Sequence, residues 1–463
     1  MNASPRRPAR SLAGLATTAL VALAPVAIAA PATAVEPAVD LPLSEPPPPA
    51  VLPSTTSPEY FNTPRDITGC PHRTTPPAPV DESEVPLPGQ ASPTPPTVPQ
   101  NPPGGEALHG CEVAAPDGFE VPGDVTASSW MISDLDTGEI VAARDAHGRY
   151  RPASIIKTLL ASVALDRLDL DRIVEVTDAD LEGTEGSLVG IGPGGKYSVE
   201  RLLYGLLLAS GNDAATVLAH QLGGVEATLT TMNEYAGELG AVSTRAATVS
   251  GLDGPGMMSS AYDMSLIFRD AMSRPDFERM VAVESVGFPG YPAGEGAGPP
   301  DPAEAPPYTG PIVREDGMLV NPGFVLGNDN RLLYNYPGAI GGKTGFTNDS
   351  RHTFIGAAER DGRRLAVVLL DGTSVPKAPW EQAALLLDAG FATGDSVGRL
   401  ESGPHVETDD ATEHLASGPL AAAGPGEAVA AGSLIDRYGP WLAVGAAGLV
   451  VIVGAGLVLR SRR

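Results

Sequence analysis

The sequence predicts a mixed α/β (α+β) fold: one antiparallel sheet assembled from two distant stretches of chain, with helices on its faces. Three observations point to it. Residues 128–143 read as two strands joined by a turn. Residues 153–239 repeat their apolar positions at helical spacing. Residues 343–370 return to strand texture, and a helix follows at 379–391. A chain that runs strands, helices, strands brings its two ends together in one sheet.

In order, residues 128–133 and 139–143 form the first two strands, and Asp136-Thr137-Gly138 turns between them. Residues 153–168 place Ile155, Ile156, Leu159, Leu160, Val163, Leu165 and Leu168 on a helical period. Residues 199–209 form a second apolar helix that ends at Ser210-Gly211-Asn212. Further helices are expected at 214–222 and 227–239. Residues 290–311 are rich in Gly, Pro and acids without an apolar period, and read as a surface insertion. Residues 343–358 read as strand, Arg360-Asp361-Gly362-Arg363 as a hairpin turn, and 365–370 as an apolar strand. Pro379 suits the first turn of the closing helix.

The ends carry targeting signals. Arg6, Arg7 and Arg10 precede an apolar stretch over 12–30, and Ala32-Thr33-Ala34 supplies small residues for cleavage. Residues 1–34 are therefore expected to be a secretory signal peptide cut after Ala34, with Ala30 as the alternative. Residues 35–124 are expected to be a Pro-rich extracellular spacer. Residues 35–103 hold 21 of the chain's 47 prolines, which disfavours a packed core and favours extended polyproline backbone. Residues 125–398 form the folded domain, and 399–440 a flexible acidic linker of roughly 35 Å root-mean-square span. Residues 441–459 contain no charge and would make a helix of about 29 Å, enough to cross a bilayer. Arg460, Arg462 and Arg463 in the 460–463 tail place that end in the cytoplasm. The expected location is the cell membrane, crossed once, with the domain on the extracellular side. In an exported chain Cys70 and Cys111 are expected to pair, stabilising the fold by about 3–4 kcal/mol in the chain-entropy view.

Net charge is −26, which argues against nucleic-acid binding because phosphate neutralisation needs clustered Lys and Arg.

Three short motifs carry the chemistry. Ser154 and Lys157 stand three apart at a helix start, so they share a face and the amine can reach the hydroxyl. A lysine acts as a base only when neutral, and a free one titrates near 10.4. Burial and a neighbouring cation lower that value. Lys343, in Gly341-Gly342-Lys343-Thr344-Gly345, is the candidate cation. Gly345 would let a peptide approach the strand closely, and Thr344 offers a hydroxyl to a carboxylate. Ser210 could relay a proton to a leaving amine, and Asn212 could bond a substrate amide and hold Lys157. Taken singly, each motif also reads as a helix cap, a polar turn or an exposed strand lysine.

Together, in this order, the motifs resemble the sites of penicillin-binding proteins and class A β-lactamases. The chain resembles the low-molecular-mass penicillin-binding proteins that act as serine-type D-alanyl-D-alanine carboxypeptidases. The likeness covers residues 125–395 and extends to Leu208-Ala209-Ser210-Gly211-Asn212-Asp213-Ala214, Ser250-Gly251-Leu252-Asp253 and the stretch from Met258 to Met264.

The resemblance implies a β-lactamase/transpeptidase-like fold: an antiparallel five-stranded sheet flanked by helices, with a mainly helical subdomain. It implies Ser154 as acyl-ester nucleophile, Lys157 as general base, Ser210 as proton relay and Asn212 as positioning group. Lys343, Thr344 and Gly345 would bind substrate, and the Phe346 and Ser154 backbone N–H groups would hold the oxyanion. The implied partners are peptidoglycan stem peptides ending in D-Ala-D-Ala, β-lactam antibiotics and, through the tail, the membrane. No metal or organic cofactor is implied.

There are departures. Family members often carry a histidine where Phe346 stands, and an arginine for the substrate carboxylate where Thr373 follows Asp371-Gly372. That leaves the carboxylate to Thr344 and Lys343. His352 reads as an ordinary strand residue. The competing readings are a β-lactamase of the same fold, for which no convincing Glu-X-X-X-Asn loop is present, and an inactive wall-binding scaffold.

Overall fold

The computed structural model of the protein describes residues 58–293, 312–314 and 318–403. The expected signal peptide, the linker beyond 403, the membrane segment 441–459 and most of the 290–311 insertion lie outside the described residues. Among the described residues, no helix is long and apolar enough to cross a membrane.

The chain enters through a short helix, α1 (Pro58–Asn62), and a two-residue strand, β1 (Val113–Ala114). The first hairpin is β2 (Ser129–Asp134) and β3 (Glu139–Arg144). The helical region begins with α2 (Lys157–Arg167) and continues through β4 (Ile173–Glu175), α3 (Asp178–Leu181), β5 (Lys196–Ser198), α4 (Val199–Leu208), α5 (Asn212–Gln221) and α6 (Val225–Glu238). Next come α7 (Ala261–Met272) and α8 (Pro275–Val281). A set of short strands follows: β6 (Ser285–Phe288), β7 (Tyr291–Pro292), β8 (Ile312–Val313), β9 (Leu319–Asn321) and β10 (Phe324–Gly327). The chain returns through α9 (Arg331–Asn335) to three long strands, β11 (Ala339–Thr347), β12 (Arg351–Arg360) and β13 (Arg363–Gly372). It closes with α10 (Pro379–Phe391) and β14 (Gly398–Arg399).

The main sheet is antiparallel, in the order β1-β3-β2-β13-β12-β11, and β14 also pairs with β3. Five long strands make its body, and the two-residue strands β1 and β14 extend the five expected to seven. The two distant stretches of the domain meet where β2 pairs with β13, Leu369 opposite Trp130. Alternation along β13 divides the core. Leu365, Val367 and Leu369 face a layer with Trp130, Leu386 and Leu387. Ala366, Val368 and Leu370 face the larger layer that holds Ile155, Leu159 and Leu160. The continuous apolar run of β13 follows from its being covered on both faces.

The 343–358 stretch is a hairpin rather than one strand: β11 and β12 are joined through Asn348, Asp349 and Ser350, and Thr347 Oγ1 and Ser350 Oγ lie 2.8 Å apart in the turn. Caps fix two of the helices. Ser198 accepts from the Arg201 N–H at 3.1 Å, and Ser260 from the Asp263 N–H at 3.1 Å.

Residues 58–124, part of the expected Pro-rich spacer, lie along the domain. Ile67, Leu108 and Cys111 are buried, and Cys70 is disulfide-bonded to Cys111 with Cα atoms 5.4 Å apart. A Pro-rich arm lacks many N–H donors but keeps every carbonyl acceptor. Arginines of the domain use those carbonyls. Arg149 donates to the Thr74 and Thr97 carbonyls at 2.9 and 3.2 Å, Arg151 to the Pro77 carbonyl at 2.7 Å, and Arg245 to the Thr94 carbonyl at 2.8 Å. The arm makes no core of its own, as its composition implies, and is held by side chains of the domain.

Candidate active site

Pro152 and Ala153 decide how the first motif is presented. Ala153 takes a left-handed φ of 48°, and Ala153–Ile156 form a 3₁₀ turn, so the α-helix starts at Lys157 rather than at 153. The Thr353 hydroxyl on β12 donates to the Pro152 carbonyl at 2.8 Å and ties this turn to the sheet. Ser154 is thus held beside β11. Its N–H faces Gly345 so closely that a Cβ there would come within 2.9 Å of it and 2.3 Å of Thr353 Oγ1. Glycine at 345 is required by the protein's own packing.

Lys157 is fully buried. Its Nζ lies 2.8 Å from Ser154 Oγ and 2.7 Å from Asn212 Oδ1, and donates to the Ser250 carbonyl. The Asn212 amide is fixed in orientation because its Nδ2 donates to the Glu185 carbonyl at 2.6 Å. Two of the three neighbours of Nζ are therefore acceptors only. A neutral amine has two N–H groups and one lone pair, so both hydrogens are taken and the lone pair is left for the serine hydroxyl. Burial, and then the nearby Lys343 cation, hold the Lys157 amine well below its ordinary value.

Lys343 is itself buried on β11, and its Nζ donates to the Thr344 carbonyl at 2.8 Å. Burial pulls its pKa down to about 8, opposed by Asp329. Ser210 takes a left-handed φ of 60° at the end of α4, and Asn212 opens α5. Asp213 anchors the facing loop, accepting from the N–H groups of Val189, Gly190 and Ile191 at 3.0, 2.8 and 3.2 Å.

A cleft of about 400 Å³ opens over these groups. Ser154, Ser210, Thr344, Gly345 and Phe346 line it, with Lys157 and Lys343 beneath. Ser187, Arg331, Ser374 and Trp380 complete its walls. His352, expected to be an ordinary strand residue, lines the cleft as well, its ring 4.7 Å from that of Phe346. Burial and the adjacent Arg351 hold its imidazole below the usual value. Thr373 turns away: it is fully buried, and its hydroxyl bonds Thr126 Oγ1 at 2.8 Å and the Val375 carbonyl at 2.6 Å. Cys70 and Cys111 lie on the arm and do not line the cleft.

Sequence reasoning missed the Ser250 and Glu185 carbonyls, because backbone acceptors carry no residue signature. It also missed Arg331, Trp380 and Phe61. The Phe61 ring of the arm lies 5.9 Å from that of Phe346, which lines the cleft, tilted by 43°.

A serine hydroxyl in reach of a buried, depressed lysine, with a second lysine below and a strand at its side, is an arrangement suited to serine acyl transfer with lysine rather than histidine as base. The family described as D-alanyl-D-alanine carboxypeptidase matches residues 114–285. D-alanyl-D-alanine carboxypeptidase DacB2 of Mycobacterium tuberculosis is 44% identical over 283 residues, 60% of this chain and 87% of that protein. The chain belongs to the D-alanyl-D-alanine carboxypeptidase family. A second family relative, DacF of Bacillus subtilis, is 29% identical over 273 residues, 58% of this chain and 62% of its own length. The crystal structure of a D-alanyl-D-alanine carboxypeptidase from M. tuberculosis H37Rv superposes with a TM-score of 0.53 at 44% identity, covering 62% of this chain and 99% of the other. The Streptomyces K15 DD-transpeptidase matches with a TM-score of 0.50 at 27% identity, over 58% and 98%. The family match ends at 285, so the place of Lys343, Thr344 and Gly345 in the carboxypeptidase site rests on the geometry.

Proposed function

We propose that the protein is a serine-type D-alanyl-D-alanine carboxypeptidase that trims peptidoglycan stem peptides outside the cell. Ser154 Oγ attacks the carbonyl between the two D-alanines, and its proton passes to Lys157 Nζ. The Ser154 and Phe346 N–H groups take the oxyanion. The C–N bond breaks, and D-alanine leaves with a proton relayed through Ser210. Water then attacks the Ser154 ester, giving its proton to Lys157, which returns it to Ser154 Oγ as the C–O bond breaks and the shortened peptide departs. β-Lactams acylate the same serine.

The observation that carries this reading is the contact set of Lys157: two acceptors fix its hydrogens and Ser154 Oγ stands at the third position, 2.8 Å away. The sequence supports export through residues 1–34 and a single membrane crossing at 441–459, with the 399–440 linker holding the domain off the bilayer. Truncation after 440 should then move the protein from the membrane fraction to the medium.

The test of the activity is D-alanine release from a diacyl-D-Ala-D-Ala peptide. Wild-type protein should release it and Ser154→Ala should not. Release by the variant at the wild-type rate, or none by either, overturns the reading.

A further inference from the structure

A substrate cut at a C-terminal D-alanine brings a carboxylate into the cleft, and Thr373 is turned away from it. Lys343 lies beneath and is buried, its Nζ donating to the Thr344 carbonyl at 2.8 Å. The charged side chains on the cleft wall are Asp329 and Arg331. Asp329 acts on Lys343, each shifting the other's titration. The Arg331 guanidinium makes no hydrogen bond or ion pair among the described residues. It lies over the Trp380 ring, 5.6 Å from the centroid. The turn that carries it is held by asparagines: Asn330 Oδ1 accepts from the Leu332 N–H at 3.1 Å, and the Asn330 N–H donates to Asn328 Oδ1 at 2.9 Å. Arg331 is therefore an exposed cation, unpaired among the described residues, against an aromatic wall in the same cleft as Ser154.

Resting on the carboxypeptidase reading above, we propose that Arg331 is the residue that receives the substrate's terminal carboxylate. A guanidinium offers two parallel N–H donors that match a carboxylate, and stacking on an aromatic face limits the freedom lost on binding. Thr344, which lines the same cleft, supplies a neutral hydroxyl to the same end of the substrate. Arg331 thereby sets the preference for a free C-terminus.

The test compares two thioesters of an acyl-D-alanine, one with thioglycolate as leaving group and one with thioglycolamide. They differ only in the carboxylate. Wild-type full-length protein should show a higher kcat/KM for the acid. In Arg331→Gln the acid-to-amide ratio should fall about tenfold, the low end for a charged hydrogen bond at an exposed site. Arg331→Lys should restore part of it, and the loss should sit in KM. An unchanged ratio in Arg331→Gln overturns the assignment of Arg331 while the carboxypeptidase reading stands. Failure of wild-type protein to cleave either thioester overturns the carboxypeptidase reading instead.

Discussion

Arg351 joins the N-terminal arm to the wall of the active site, and its removal should weaken both. It is buried and stands at the start of β12 with a left-handed φ of 54°, next to His352 and opposite Thr347. Its Nε donates to Asp371 Oδ1 at 2.8 Å and its Nη2 to the Asp371 carbonyl at 2.7 Å. Its Nη1 donates to the Tyr60 and Thr63 carbonyls of the arm at 3.1 and 2.7 Å. Breaking a buried ion pair from one side typically costs 3–5 kcal/mol. Asp371 would keep Arg65 at 2.9 Å and the Ser128 hydroxyl at 2.6 Å, so its charge would not be stranded. Arg351→Met should therefore fall at the low end, about 3 kcal/mol, or roughly 6 °C in Tm for a domain of this size. Two arm carbonyls lose their donor in the same variant. Denaturant unfolding should show the loss, and limited proteolysis should cut the segment between Pro58 and Cys70 faster than in wild type. A loss below about 1 kcal/mol, or unchanged protection of the arm, would refute the clamp.

Other outcomes follow from the same geometry. Lys157→Met keeps the length of the side chain without its lone pair, and penicillin acylation should slow at least about 100-fold in a folded protein. Stopped-flow labelling checks it, and normal labelling would remove Lys157 as the base. Lys343→Met deletes a cation that depresses Lys157. The Lys157 pKa should rise, less of it is neutral at a given pH, and the acidic limb of the acylation profile should move to higher pH. A limb that stays or moves down contradicts the coupling. Gly251→Ala should destabilise by roughly 2 kcal/mol or more, since Gly251 has φ 86° and a Cβ would stand 2.1 Å from the Ala153 carbonyl oxygen. The same collision displaces the Ser250 carbonyl that holds Lys157, so acylation should fall with stability, as thermal melts and labelling rates would show.

The elements that sequence made legible were those with local signals. The β2–β3 hairpin has its Asp-Thr-Gly turn, α10 has Pro379 at its start, and β13 has an unbroken apolar run. The start of α2 was misplaced because Ala153 adopts a backbone that only its neighbours dictate, among them Thr353, which holds Pro152 from 201 residues away. The course of the arm was not legible for the same reason. Its prolines truly prevent a core, but Arg65 meets Asp371 across 306 residues, a pairing no local pattern records. Within the site, Ser154, Lys157, Asn212 and Lys343 were visible as motifs. The Ser250 and Glu185 carbonyls that orient them were not, because any residue could supply a carbonyl. Arg331 carried no motif and became interpretable only when the fold set it on the cleft wall, with Thr373 turned inward.

The central claim is that Ser154 forms the covalent intermediate with Lys157 as its base. Peptide mapping by mass spectrometry after reaction with benzylpenicillin tests it most directly. The account predicts one penicilloyl adduct, on the peptide that contains Ser154, and its loss in Ser154→Ala. An adduct on Ser210 or any other residue, or none on a folded protein, would contradict it.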